Sequence, residues 1–339
     1  MNTAAIQALR PLLSTSRKIV LVPHKNPDGD AIGSCLGLYH YLRALGHQAT
    51  VVAPNDFPQF LKWMPGAEAV LVYEKDPRAG KAAIADAELV FTLDFNALDR
   101  CGDLQVPLQK ASATFIMIDH HQSPDNYAQV QYSDVQMSST CEMVYNTIEA
   151  LGGLDLLDAG AASCLYAGML TDTGSFKFPG TTPRTMRVAA DLMERGAPHS
   201  EIHRNIYDTN RPQRLQLLGR ALSNLVILPE YRTAYITLSQ EELDAHGFQK
   251  GDTEGFVNYG LSVDGVVLAA IFIENRDEKI VKISLRSQGD FSVNDMARKH
   301  FNGGGHINAA GGRSEESLKD TTERFERILA TYKNELQAS

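Results

Sequence analysis

The sequence holds no C-x-x-C pair. Its four cysteines, Cys35, Cys101, Cys141 and Cys164, are scattered through apolar or mixed segments, and at 339 residues a disulfide-stapled miniprotein is excluded, so four buried free thiols are expected. No stretch approaches roughly 18 consecutive apolar residues, which leaves no candidate membrane-spanning helix. Met1 to Ser16 carries Asn2, Thr3, Gln7 and Arg10 and lacks the long apolar core of a secretory signal. Basic residues are scarce as well. Lys and Arg number 32 against 41 Asp and Glu, a net charge of −9 with no basic run. A protein that coats long nucleic acid by neutralising phosphates is usually more basic. Any anionic substrate must therefore be met by a local site, and the expected setting is the reducing cytoplasm.

What is present is an ordinary folded composition, 43% hydrophobic and 22% charged, in a chain long enough for about two domains of roughly 150 residues. Lys18 to Pro23 is a β-branched run of strand length. It is followed by a helical pattern from Ala31, with Ile32, Leu36, Tyr39 and Leu42 at three-to-four spacing, that stops near Gly46. Further apolar runs at 49–53, 70–73, 89–93 and 114–118 alternate with helical or Pro/Gly-containing stretches. That alternation predicts an α/β fold with a mainly parallel sheet covered on both faces. Helical patterns at 159–171 and 185–195 follow, then a charged helical stretch without a strand signal. Strands are expected at 232–238, 266–274 and 280–287, and a closing helix at 317–338. The expected division is a first domain at 1–195, a helical linker at 196–230 and a smaller α/β domain at 231–339.

Open α/β sheets bind ligands beyond the carboxyl ends of their strands, and here those ends are acidic. The first strand leads into His24-Lys25-Asn26-Pro27-Asp28-Gly29-Asp30, a later one ends at Asp94, the next at Asp119-His120-His121, and Asp172 follows the helix at 159–171. Each piece alone has a plain explanation: an Asp-Gly-Asp can be a turn with a helix N-cap, and a carboxylate at a strand end is commonly a cap or a surface residue. Together they are five carboxylates and three imidazoles that one fold can bring to one edge. Buried unpaired carboxylates repel one another, and divalent cations resolve that repulsion.

Taken in order, the segments H-K-N-P-D-G-D-A-I-G-S at 24–34, L-D at 93–94, D-H-H at 119–121 and T-D-T-G at 171–174 resemble the motifs of the DHH phosphoesterase superfamily. Near the end, Phe301-Asn302-Gly303-Gly304-Gly305-His306 with Asn308-Ala309-Ala310-Gly311-Gly312 resembles the G-G-G-H signature of the associated DHHA1 domain. Asp252-Thr253-Glu254-Gly255 resembles the subgroup that degrades very short RNA and dephosphorylates 3′-phosphoadenosine 5′-phosphate (pAp). The resemblance implies two divalent metal ions. His24, Asp28 and Asp94 would hold one, Asp30, Asp94, His120 and Asp172 the other, and Asp94 would bridge them. Carboxylate oxygens with a minority of imidazole nitrogen suit Mn²⁺, with Mg²⁺ or Co²⁺ the other candidates. Asp119 would orient a neighbouring imidazole, and His121 would face the substrate phosphate. Such a site activates water for attack on phosphorus without a serine or cysteine nucleophile.

The second domain should choose the ester. Val281, Ile283 and Leu285 alternate with Lys282, Ser284 and Arg286, so one strand face can pack while the other presents cations. Arg286 with Ser287 is the expected clamp for a terminal phosphate, beside a loop of Gly303, Gly304, Gly305 and His306 where backbone could approach a nucleotide. The expected activity is 3′-to-5′ hydrolysis of short oligoribonucleotides to mononucleotides and of pAp to AMP, with substrate between the two domains and no long nucleic acid or membrane as partner. Hydrolysis of a linear or cyclic dinucleotide (pApA or c-di-AMP) is the alternative, and a non-catalytic nucleotide-binding regulator the reading from another class. His40, His47, His199, His203, His246 and His300 match no motif and are expected to be structural or on the surface.

Overall fold

A short helix, α1 (Thr3–Leu12), precedes the first strand, β1 (Lys18–Val22), whose alternate side chains enter two different cores. Ile19 and Leu21 pack on one face of the sheet, Val20 and Val22 on the other. A strand buried on both faces reads in sequence as an unbroken apolar run. The chain continues through α2 (Gly29–Ala44), β2 (Gln48–Ala53), β3 (Leu71–Val72), α3 (Pro77–Asp86), β4 (Leu89–Leu93), α4 (Gln105–Gln109), β5 (Thr114–Asp119) and β6 (Val130–Ser133). Four helices complete this part: α5 (Thr140–Leu151), α6 (Ala159–Asp172), α7 (Pro183–Glu194) and α8 (His199–Tyr207). The six strands lie in the order β3-β2-β1-β4-β5-β6, every neighbouring pair parallel. This is the parallel α/β sheet that the alternation of runs predicts.

One helix crossing sets the position of the acidic residues. Gly29, Gly33 and Gly37 recur every four residues and so share one face of α2. A Cβ on Gly33 would lie 2.6 Å from the Cys164 carbonyl oxygen of α6, and one on Gly37 would lie 2.5 Å from Leu165 Cδ2. Only glycine permits this approach. It brings the start of α2, with Asp30, against the end of α6, with Asp172.

The structure is a computed structural model that describes residues 3–338, and the chain divides into two compact units, Met1–Thr209 and Asn210–Ser339. The second unit runs α9 (Pro212–Ser223), β7 (Val226–Leu228), β8 (Thr233–Leu238), α10 (Gln240–Ala245), α11 (Phe256–Leu261), β9 (Leu268–Asn275) and β10 (Ile280–Ser287). It ends with α12 (Val293–His300), β11 (Gly304–Gly305), β12 (Ala309–Ser314), α13 (Leu318–Leu329) and α14 (Lys333–Ala338). Its sheet has the order β11-β12-β10-β9-β8-β7, in which only β8 and β9 pair parallel. Val281, Ile283 and Leu285 pack into a core with Phe272, Phe301 and Phe325, as the alternation along β10 predicts. The closing helix is two helices, α13 and α14, separated by a 3₁₀ turn at Ala330–Tyr332. All four cysteines are free and buried. Among the described residues, no helix is long and apolar enough to cross a membrane.

Candidate metal centre

In a sheet of order 3-2-1-4-5-6 the chain reverses direction of winding between β1 and β4, and a crevice opens beyond their carboxyl ends. Those two strands deliver His24 to Asp30 and Asp94. Asp94 follows β4 with φ +66, a left-handed backbone that Asp tolerates better than most residues. Asp28 serves two purposes. One carboxylate oxygen accepts from the amides of Asp30 and Ala31, both at 3.1 Å, and so caps α2, while the other lies 3.8 Å from His24 Nε2.

The two histidines are held alike. His24 Nδ1 is 2.8 Å from the Lys25 carbonyl oxygen and His120 Nδ1 is 3.1 Å from that of Met137. A carbonyl only accepts, so the Nδ1 proton is fixed there and Nε2 is turned toward the carboxylates. His24 Nε2 is 3.5 Å from Asp94 Oδ2. His120 Nε2 is 3.4 Å from Asp172 Oδ2, 3.5 Å from Asp94 Oδ1 and 3.8 Å from Asp30 Oδ2. Asp94 therefore presents one oxygen to each imidazole. Asp119, fully buried, binds the His121 ring through Nδ1 at 2.7 Å and its amide at 3.1 Å.

Burial penalises every charge here, and the neighbours decide each outcome. Burial raises Asp30 well above the usual carboxylate range, reinforced by Asp94 and Asp172. Burial together with Asp94 and Asp28 outweighs His120 and lifts Asp172 to about 6. For Asp94 the contacts with His120 and His24 overcome burial and hold the carboxyl well below its usual range. Burial opposes a charged His24, yet Asp94 and Asp28 raise it to about 9, and Asp94, Asp172 and Asp30 likewise raise His120.

Sequence reasoning missed α5. Its N-terminal turn approaches the same carboxylates: the amides of Thr140 and Cys141 donate to Asp30 at 2.7 and 2.9 Å, and the Thr140 hydroxyl donates to Asp94 Oδ1 at 2.9 Å. Ser139 caps the helix by accepting from the Glu142 amide. The Ser139 to Glu142 spacing before an apolar run was the available signal for a helix start.

The substrate-binding residues assigned in the second unit gather at one end of its sheet. Arg286 and Ser287 end β10, and Gly304 and Gly305 form β11, with β12 between the two strands. The Ser287 hydroxyl donates to the Phe291 carbonyl at 2.6 Å and accepts from Asn308 at 2.9 Å. The Gly305 amide donates to Asn294 at 2.9 Å and the His306 amide to the Ala309 carbonyl at 2.7 Å. A Cβ on Gly303 or Gly305 would strike the β12 backbone, so close strand packing itself requires these glycines. Arg286 Nη1 donates to the Leu285 carbonyl at 3.0 Å. The buried Asp252 carboxylate accepts from Arg211 and the Gln249 amide, tying the loop before α11 to the start of α9. His40, His47, His199, His203, His246 and His300 each have a partner of their own in the fold.

The donor set fits divalent cations. His24, Asp28 and Asp94 form one group with ligand atoms within 4.8 Å of one another, and Asp30, His120 and Asp172 form a second. Separations of 3.4 to 3.8 Å exceed good hydrogen bonds and leave lone pairs aimed at shared points, in an oxygen-rich set with minority imidazole. Residues 18–169 match the model of the DHH family, N-terminal domain, and residues 232–338 that of the DHHA1 domain. Over 321 residues, 94% of this chain and 90% of the relative, the sequence is 35% identical to the bifunctional oligoribonuclease and PAP phosphatase NrnA of Thermus thermophilus. The chain belongs to the DHH family. This DHH chain also matches the crystal structure of an exopolyphosphatase-related protein from Bacteroides fragilis, with a TM-score of 0.94, 38% identity and 98% coverage of both chains. Cyclic-di-AMP phosphodiesterase GdpP of Geobacillus thermodenitrificans is 25% identical to the DHH chain over 96% of its length and 49% of the GdpP length.

Proposed function

We propose that the chain is a dinuclear metal-dependent phosphoesterase that removes mononucleotides from the 3′ end of very short RNA and converts pAp to AMP. The observation that carries this reading is the Asp94 carboxylate, which turns one oxygen to His24 and the other to His120. The 35% identity to a bifunctional oligoribonuclease and PAP phosphatase supports the choice of substrate. His24, Asp28 and Asp94 would hold one ion, and Asp30, Asp94, His120 and Asp172 the second, with Mn²⁺ preferred over Mg²⁺ or Co²⁺. Ions bound there supply Lewis-acid charge that activates water and offsets charge on the phosphoryl oxygens.

The chain's own residues supply orientation. Asp119 fixes the His121 imidazole, which donates to a non-bridging phosphate oxygen as charge gathers on it. Arg286, with Ser287 and the Gly303 to His306 hairpin, holds the substrate's terminal phosphate and sugar. Catalysis is assigned to residues 1–195 and substrate binding to 231–339; the boundary between the two compact units, at 209/210, falls inside the intervening stretch 196–230, whose α8 packs with the first unit and whose α9 and β7 pack with the second. A cytoplasmic location suits four unpaired thiols. A second reading, hydrolysis of pApA or c-di-AMP by the same residues, is favoured by the similarity to GdpP along nearly all of this chain.

Product analysis on 5′-labelled RNA of two to five nucleotides, pAp, pApA, c-di-AMP and pyrophosphate, with Mn²⁺ and after chelation, tests the proposal. Stepwise loss of 3′ mononucleotides and release of AMP from pAp, both abolished by chelation, are expected. Turnover of c-di-AMP or pyrophosphate alone would overturn it.

A further inference from the structure

We propose that Thr140 is a positioning residue for the metal centre, its hydroxyl fixing the rotation of the Asp94 carboxylate so that each oxygen faces a different imidazole. The proposal rests on the reading of this cluster as a metal site. Backbone alone does not fix that rotation. The left-handed φ of Asp94 and its amide bond to the Ile118 carbonyl at 3.1 Å place the Cβ, but the terminal carboxylate torsion is soft. Thr140 Oγ1, 2.9 Å from Asp94 Oδ1, is closer than either His24 or His120 at 3.5 Å. A charge-assisted hydrogen bond of this length is directional, whereas the imidazole contacts are long.

Thr140 is well placed to act as a fixed point. It is fully buried and starts α5, its β-branched side chain has restricted χ1 freedom, and Ser139 anchors the turn by capping the helix. The same residue donates its amide to Asp30 at 2.7 Å. One residue thus joins a carboxylate from α2 to a carboxylate from the end of β4. On the proposed assignment Asp30 serves one ion and Asp94 serves both, so Thr140 ties the carboxylate shared by the two ions to a ligand of the second.

A purely structural role would be to satisfy a buried carboxylate, and metal binding separates the two roles. Thr140→Val keeps the shape and removes the hydroxyl, while Thr140→Ser keeps the hydroxyl. Free Mn²⁺ followed by electron paramagnetic resonance gives affinity without reference to activity, and thermal unfolding of the metal-free proteins gives the structural contribution. The expected result is weakening of Mn²⁺ binding by about 10- to 100-fold in Thr140→Val, the usual effect of losing a hydrogen bond behind a ligand, with restoration in Thr140→Ser. If Thr140→Val does not fold, Thr140→Ala, which lacks the hydroxyl and adds no bulk, takes its place in the same comparison. Wild-type affinity in the hydroxyl-free variant, with only a lower unfolding temperature, would overturn the positioning role and leave the metal site standing. Failure of the wild-type protein to bind Mn²⁺ would overturn the metal site itself.

Discussion

In the proposed centre Asp94 would serve both ions, and its left-handed backbone decides how that role should be tested. Alanine there would combine loss of a ligand with a conformational penalty of about 1–2 kcal/mol. Asparagine tolerates the same backbone and matches the shape. Asp94→Asn should therefore retain its circular dichroism spectrum and lose bound metal by more than the roughly 100-fold typical of an outer hydrogen bond, as mass-spectrometric metal analysis would show. His121 and Arg286 are assigned to substrate, so their variants should separate kinetically. His121→Ala should lower kcat by about 10²-fold or more with metal content intact, and Arg286→Ala should mainly raise KM. Steady-state kinetics on a labelled RNA trinucleotide would show unchanged constants if neither residue touches substrate. The acidic and imidazole residues of the first unit were legible because strand ends and motif order mark them. Thr140 was not legible: the capping pattern announces a helix start but carries no information on which distant carboxylates its amide and hydroxyl will meet.

At the level of elements, the glycine-lined crossing of α2 and α6 ties stability to the site. Gly33→Ala would push a methyl group against the Cys164 carbonyl, and overpacking of that kind costs about 1–3 kcal/mol. The relief of that clash would separate Asp30 from Asp172, so Gly33→Ala should lower both the denaturant midpoint and Mn²⁺ affinity. Urea unfolding and metal titration on one variant check both, and a stability loss with unaltered metal binding would show that the crossing does not position the ligands. Burial on both faces explains why β1 and β4 were easy to read, since Lys18–Val22 and Leu89–Leu93 are nearly unbroken apolar runs. β6 and β12 were missed for the opposite reason. Val130–Ser133 has four residues, and Ala309–Ser314 carries two glycines and packs through close backbone approach. The 3₁₀ turn between α13 and α14 contains neither Gly nor Pro, so nothing in the sequence announced the break.

For the whole molecule, each unit has cores of its own, one on either face of its sheet. A net charge of −9 without a basic run is unlike the basic sequences usual in proteins that track a long phosphate backbone. Catalytic efficiency should therefore fall as RNA lengthens beyond about five nucleotides, the reach of a pocket-sized site, with products released one at a time. Time courses on labelled RNA of graded length check this, and processive degradation of a long strand at equal or better efficiency would contradict it. The most direct measurement is anomalous diffraction at the manganese edge from crystals of the wild-type protein grown with Mn²⁺. Two anomalous peaks, one beside His24 and Asp28 and one beside Asp30, His120 and Asp172, with Asp94 touching both, are the expected result. A single peak, or peaks away from Asp94, would contradict a dinuclear centre built on that carboxylate.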